Sequence, residues 1–192
     1  GVTTEILGEA PSAGPVKGKA SLDLSQYGLS VDWQTLGEYF ARLQKGGISV
    51  NVGSYVGATQ VRSCILGLES REPSPSELAA MRQLVDESMK DGAFGLSSSL
   101  IVPPDTYLTT HQLIELAKAV KPYGGLYSTH IRGEGDTIRE AVLEAIEIGE
   151  KAQVPVDIIH LKIADKRMWG KMKEICGLIE AARKRGQKVS AK

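Results

Sequence analysis

The sequence predicts an α/β fold built on parallel strands. Three observations predict it. Short β-branched runs bounded by glycine alternate with segments of helical period. The last four of those runs begin near residues 93, 125, 156 and 188, a spacing of about 32 residues, one strand–helix unit each. Glycine is abundant, at 21 residues, while aromatics are only 5%. That pairing suits many tight strand–helix turns better than a β-sandwich.

The expected strands are residues 2–7, 48–52, 94–98, 126–131, 156–161 and a start at 188–191. The expected helices lie between them. Residues 32–44 end at Gly46 and Gly47. Residues 76–90 follow Ser74, Pro75 and Glu77, the pattern of an N-cap, a first-turn proline and a capping box. Residues 110–123 end at Gly124 and Gly125. In residues 136–153, Ile138, Val142, Ala145, Ile146 and Ile148 mark an apolar stripe, and Asp136 is the expected cap. Residues 168–185 close at Gly186. Two intervals are longer, and their extra length, residues 8–31 and 53–75, reads as loops after strands. Such loops sit on the face where α/β enzymes carry their chemistry.

Composition excludes several classes. At 192 residues, 42% hydrophobic and 24% charged, the chain has the make-up of a folded domain, and residues 1–192 read as a single one. No apolar run approaches the 18 or so residues of a membrane span. Zero formal net charge gives no basic excess for nucleic acid or an anionic membrane. Cys64 and Cys176 share no local motif, so neither a disulfide framework nor a cysteine zinc knuckle is expected. The expected setting is cytoplasmic.

Two strand ends match. LYSTHIR (126–132) and VDIIHLK (156–162) each finish in His-x-(Arg/Lys). Residues i and i+2 of a strand share a face. His130 with Arg132, and His160 with Lys162, are therefore expected to converge at one mouth. Two imidazoles from neighbouring strand ends suit a metal with an open position for water. The cations suit an anionic substrate group. The competing reading makes each histidine an ordinary polar strand end. Glu9, just beyond Gly8, is a candidate third ligand, with Glu5 of the same parity more inward. Asn51, Tyr55, Gln60 and Arg62 either shape a substrate pocket or brace their loop. Ser97, Ser98 and Ser99 lack the Gly-x-Ser-x-Gly elbow and read as structural. The stretch Gly133 to Asp136 is not a dinucleotide fingerprint. His111 reads as a surface residue, Trp33 and Trp169 as packing.

The chain resembles the N-acyl-D-amino-acid deacylase (D-aminoacylase) branch of the amidohydrolase superfamily. The resemblance is carried by GVTTEILGE (1–9), NVGSYVGATQVR (51–62), GAFGLSSSL (92–100), YGGLYSTHIR (123–132) and HLK (160–162). It implies a (β/α)8 TIM barrel of the metal-dependent hydrolase type, of which this chain is expected to hold roughly strands two to seven. It implies one or two divalent ions, usually zinc, held by His130 and His160. Family members carry a cysteine ligand near the end of the first strand here. This chain reads Gly8, Glu9, Ala10, Pro11, so Glu9 is the expected replacement, a harder donor. Lys162, Arg132, Tyr55 and Arg62 are the expected substrate contacts. A tyrosine often precedes the Pro-Pro of the fourth-strand loop, and Val102 stands there instead. A His-x-His pair before Gly1 and a general-base Asp after Lys192 are expected outside the chain, leaving no catalytic base within it. The implied reaction is hydrolysis of N-acyl-D-amino acids, small-molecule substrates, by a metal-activated water. Alternatives are another cyclic-amide or dipeptide specificity, a catalytically silent metal-binding fragment, or a metal-free enzyme using the two histidines as acid and base.

Overall fold

In the computed structural model, which describes residues 1–192, all seven strands run parallel and follow one another in chain order. β1 (Thr4–Leu7) pairs with β2 (Asn51–Ser54), Leu7 opposite Ser54. β3 (Val56–Gly57), β4 (Gly95–Ser99), β5 (Leu126–His130), β6 (Val156–Ile158) and β7 (Val189–Ala191) form a second sheet. Tyr55 divides β2 from β3, but the hydrogen bonding continues across it. The Tyr55 N–H donates to the Leu7 carbonyl at 2.9 Å, and the Phe94 N–H to the Ser54 carbonyl at 2.9 Å.

Parallel neighbours need crossovers, and helices supply them. These are α1 (Leu36–Gly46), α2 (Ala58–Leu66), α3 (Pro75–Lys90), α4 (Thr110–Lys118), α5 (Ile138–Ala152) and α6 (Met172–Lys184). The box at Ser74 and Glu77 forms in both directions, and equivalent boxes start α1 (Thr35, Glu38) and α4 (Thr109, Gln112). Asp136 does not cap α5. That helix follows Thr137 with no side-chain cap. Its stability rests on burying Ile138, Val142, Ala145, Ile146 and Ile148 instead.

β2, α1 and α6 each begin three or four residues later than expected, and further departures have physical reasons. α2 and β3 lie where a loop was expected. The buried face of α2 carries Gln60 and Arg62, so its apolar period is broken. α4 stops at Lys118, because Pro122 breaks the pattern and a 3-10 turn (Lys121–Tyr123) follows. β6 stops at Ile158, since the chain turns at His160 with φ +39°.

The register separates the sheet into two chemistries. Leu96, Tyr127, Val156 and Val189 stand side by side across β4 to β7 and belong to the core under the helices. The next row reads Ser97, Ser128, Asp157 and Ser190. Side chains alternate along a strand, so this polar row lies on the opposite face, and His130 continues it two residues above Ser128. Trp33 is buried as expected, but Trp169 is 63% exposed and its indole donates to the Ile163 carbonyl at 3.1 Å. No helix is long and apolar enough to cross a membrane.

Candidate metal centre

Parallel strands deliver their carboxyl ends to one rim, and the candidate residues follow from that. Glu9 comes just after β1, His130 ends β5, and His160 and Lys162 follow β6. Gly8 makes the first turn possible. Its φ is +83°, and a Cβ there would meet the Tyr55 carbonyl oxygen at 2.4 Å. The Ser97 hydroxyl donates to the Gly8 carbonyl and ties β4 to the same turn.

Glu9, His130 and His160 form one group. A ligand atom from each lies within 4.8 Å of the others. The two imidazoles meet edge to face, centroids 4.3 Å apart and planes at 88°. The Glu9 Oε1 atom is 3.7 Å from His160 Nε2. Donors around one tetrahedral ion at about 2.1 Å sit about 3.4 Å apart. The group therefore needs only a small contraction to close on a cation.

The strongest sign of a cation is His130 Nε2, which is buried and has no hydrogen-bond partner. An orphaned buried polar atom costs about 1–3 kcal/mol. Burial, and then the neighbouring His160, hold the His130 imidazole below its ordinary pKa. The neutral ring with an open lone pair is the form that binds a metal. Two imidazoles and a carboxylate are a donor set that zinc accepts, so the residues fit the implied group.

Glu134 also belongs here, though the sequence reading passed over it. Its side chain is only 11% exposed. Its Oε1 lies 3.1 Å from His130 Nε2 and 3.4 Å from His160 Nδ1, and accepts from the Lys162 ammonium. Lys162 Nζ is itself 3.1 Å from His160 Nδ1. The available signal was a carboxylate between two glycines, four residues past a strand-end histidine.

Other expected contacts are placed elsewhere. Arg132 does not join Lys162. β5 ends at His130, so strand alternation no longer governs Arg132. Its guanidinium grips Glu144 with two bonds of 2.9 Å and donates to the Leu108 (2.8 Å) and Thr106 (3.2 Å) carbonyls. Arg62 is fully buried in α2. It donates to the Glu69 and Arg71 carbonyls at 2.6 and 2.8 Å and lies over the Tyr107 ring. Both arginines bond within the fold, Arg62 wholly buried and Arg132 a third exposed. Gln60 donates to the Pro15 carbonyl at 2.6 Å, and exposed Asn51 to the Thr3 carbonyl at 3.1 Å, so these brace as well. Tyr55 is half-buried at the carboxyl end of β2, its ring edge-on to Phe94. Glu5 is exposed on β1.

The serines of β4 hold structure. Ser98 Oγ lies 2.6 Å from the Tyr127 hydroxyl and 2.9 Å from Thr129 Oγ1. The Ser99 N–H donates to Asp105 Oδ2 at 2.7 Å, and the Thr59 hydroxyl to Asp105 Oδ1 at 2.7 Å. Burial nevertheless pushes the Asp105 carboxyl up to about 6.

No family model matches the chain. Individual relatives do. The chain is 35% identical over 187 residues to a D-aminoacylase of Alcaligenes xylosoxydans xylosoxydans, covering 95% of this chain and 38% of that protein. A crystal structure of D-aminoacylase, described as defining a novel subset of amidohydrolases, superposes with a TM-score of 0.88 at 31% identity. It covers all of this chain and 41% of its own. An N-acyl-D-glutamate deacylase from Bordetella bronchiseptica, complexed with zinc and a phosphonate inhibitor, gives 0.89 at 27% identity, with 100% and 41% covered. The chain thus spans about two fifths of the length of these relatives.

Proposed function

The chain is a homologue of the N-acyl-D-amino-acid deacylases over nearly its whole length, and from that premise we propose that the protein hydrolyses the amide bond of N-acyl-D-amino acids, releasing a carboxylate and a D-amino acid. The observation that carries this is the convergence of Glu9, His130 and His160 at the carboxyl ends of three parallel strands. β2 and β3 count as one strand interrupted at Tyr55, which leaves six. Six parallel strands in chain order suit roughly strands two to seven of a (β/α)8 barrel, folded as one domain.

His130 and His160 would hold zinc, with Glu9 as the oxygen donor. When bound, the ion supplies Lewis acidity toward the acyl carbonyl and lowers the pKa of a water. The chain's own residues do the rest. Burial holds the His130 imidazole below its ordinary pKa and so keeps its lone pair available. Lys162 is paired with Glu134, and its ammonium would meet the substrate's carboxylate. Arg62 is fully buried and Arg132 only a third exposed, whereas Lys162 is half-exposed beside the histidines, so anion recognition within this chain is assigned to Lys162. Tyr55 contributes to the pocket wall.

A panel of N-acetyl-D- and N-acetyl-L-amino acids, assayed before and after chelation, tests the reading. D-selective hydrolysis that is lost with chelator and restored by zinc is expected. Full activity after the metal is stripped, or preference for hydantoins over N-acyl amino acids, would overturn it.

A further inference from the structure

Glu134 is fixed in place from two directions. Its backbone carbonyl accepts from the Ala164 N–H at 2.8 Å, which clips the loop after β5 to the loop after β6. Gly133 before it packs closely on the start of α5, since a Cβ would meet Thr137 Oγ1 at 2.1 Å. The carboxylate is therefore held in the gap between the two histidine-bearing strand ends.

His160 presents a different atom to each carboxylate. Its Nε2 faces Glu9 and its Nδ1 faces Glu134 and Lys162. A neutral imidazole carries one proton. For Nε2 to give its lone pair to a metal, that proton must sit on Nδ1, and the Nδ1–H then needs an acceptor. A lysine ammonium has donors only. Among the groups around Nδ1, the Glu134 carboxylate is the acceptor in reach.

We propose that Glu134 is a positioning residue of the metal centre. With the ion bound, its carboxylate takes the Nδ1–H of His160, leaves Nε2 open toward the ion, and draws the Lys162 ammonium, which lies 3.1 Å from Nδ1, into their ion pair. A carboxylate behind a ligating histidine fixes both tautomer and ring orientation. The role rests on the deacylase reading above, because it presumes an ion between Glu9, His130 and His160.

The test measures zinc affinity of metal-stripped protein against a chromophoric chelator, and the visible spectrum of the cobalt(II)-loaded protein. Glu134→Gln keeps the shape and removes the charge. It should weaken zinc roughly 10- to 100-fold while leaving the cobalt bands in place. Glu9→Gln, which alters the donor set, should shift those bands. Glu134→Asp retains the charge and should fall between wild type and Glu134→Gln. Unchanged zinc affinity in Glu134→Gln overturns the proposal. Cobalt bands that move as they do in Glu9→Gln also overturn it, by making Glu134 a ligand. Wild-type protein that takes up neither metal sinks the deacylase reading, and this proposal with it. A wild type that binds zinc beside an equally tight Glu134→Gln removes this proposal alone.

Discussion

His130 Nε2 lies 3.1 Å from Glu134 Oε1, yet no hydrogen bond joins them. A buried imidazole nitrogen beside a carboxylate would ordinarily turn to share a proton. Here it stays open, and its burial and the adjacent His160 favour the neutral ring. Zinc should relieve this frustration and stabilise the fold. At a concentration 100 times its Kd, a ligand adds about 2.7 kcal/mol. That corresponds to a rise in Tm of roughly 5–10 °C for a domain of 150–250 residues. His130→Ala and His160→Ala should each lose the rise and the hydrolytic activity. Either variant melting with the wild-type zinc increment would show the ion to be bound elsewhere.

The two arginine braces give the opposite pattern, a loss of stability without a loss of substrate recognition. Arg62→Ala strands the Glu69 and Arg71 carbonyls and removes a fully buried side chain. A cost of about 3 kcal/mol is expected. Arg132→Ala leaves Glu144 without its charged partner, but the pair is partly exposed and the Thr110 hydroxyl still donates to Glu144 at 2.8 Å, so about 1–3 kcal/mol is expected. In both variants the folded protein should keep a KM within a few-fold of wild type, while Lys162→Met should raise it at least tenfold. Denaturant titration and steady-state kinetics on the same samples separate the two effects. A tenfold KM change in Arg132→Ala at unchanged stability would return that residue to the substrate site.

Asp105 sets a pH dependence whose sign follows from burial. Its carboxyl is raised from an ordinary 3.8 to about 6 in the fold. Below pH 3.8 it is protonated both folded and unfolded, and its favourable contribution is whole. As the pH rises toward 6 the unfolded chain ionises first, and stability is lost through that window, by about 3 kcal/mol in all. Above pH 6 the loss is complete. A carboxamide at this position cannot ionise, so the stability of Asp105→Asn relative to wild type should rise between pH 4 and pH 7. Equilibrium unfolding at several pH values reads this difference, and a flat difference contradicts it.

Much of this was legible before the structure. The glycine-bounded runs overlap all six principal strands because one face of each packs apolar side chains, although β2 begins three residues later than expected and β4 is rich in serine. The His-x-(Arg/Lys) repeat brings His130 and His160 together because both sit at strand ends in a regular rhythm. Legibility stops where tertiary contacts override local pattern. α2 hides because Gln60 and Arg62 occupy its buried face, satisfied by the Pro15 carbonyl and by the Glu69 and Arg71 carbonyls just past the helix. Arg132 misleads because the strand ends two residues before it. Glu134 stays out of view because a loop carboxylate has no periodicity, and only the Ala164 clip and the adjoining strand end give it a place.

Gly149 sets helix propensity against packing within α5. Glycine in a helix interior costs about 1 kcal/mol relative to alanine, so propensity alone predicts that Gly149→Ala stabilises. Packing predicts the reverse. A Cβ there would meet Val156 Cγ2 at 2.1 Å and the Val154 carbonyl oxygen at 3.1 Å. Overpacking of this kind costs typically about 1–3 kcal/mol, and Val156 is anchored in β6 between β5 and β7. Packing wins on these magnitudes, and Gly149→Ala should be destabilising by up to about 2 kcal/mol. The strain passes to β6, which ends two residues before His160, so zinc affinity should fall with it. Val156→Ala removes the clashing methyl and should recover most of both losses in the double variant. Gly149→Ala melting above wild type would mean that α5 slides freely on β6, and that the helix does not fix the position of His160.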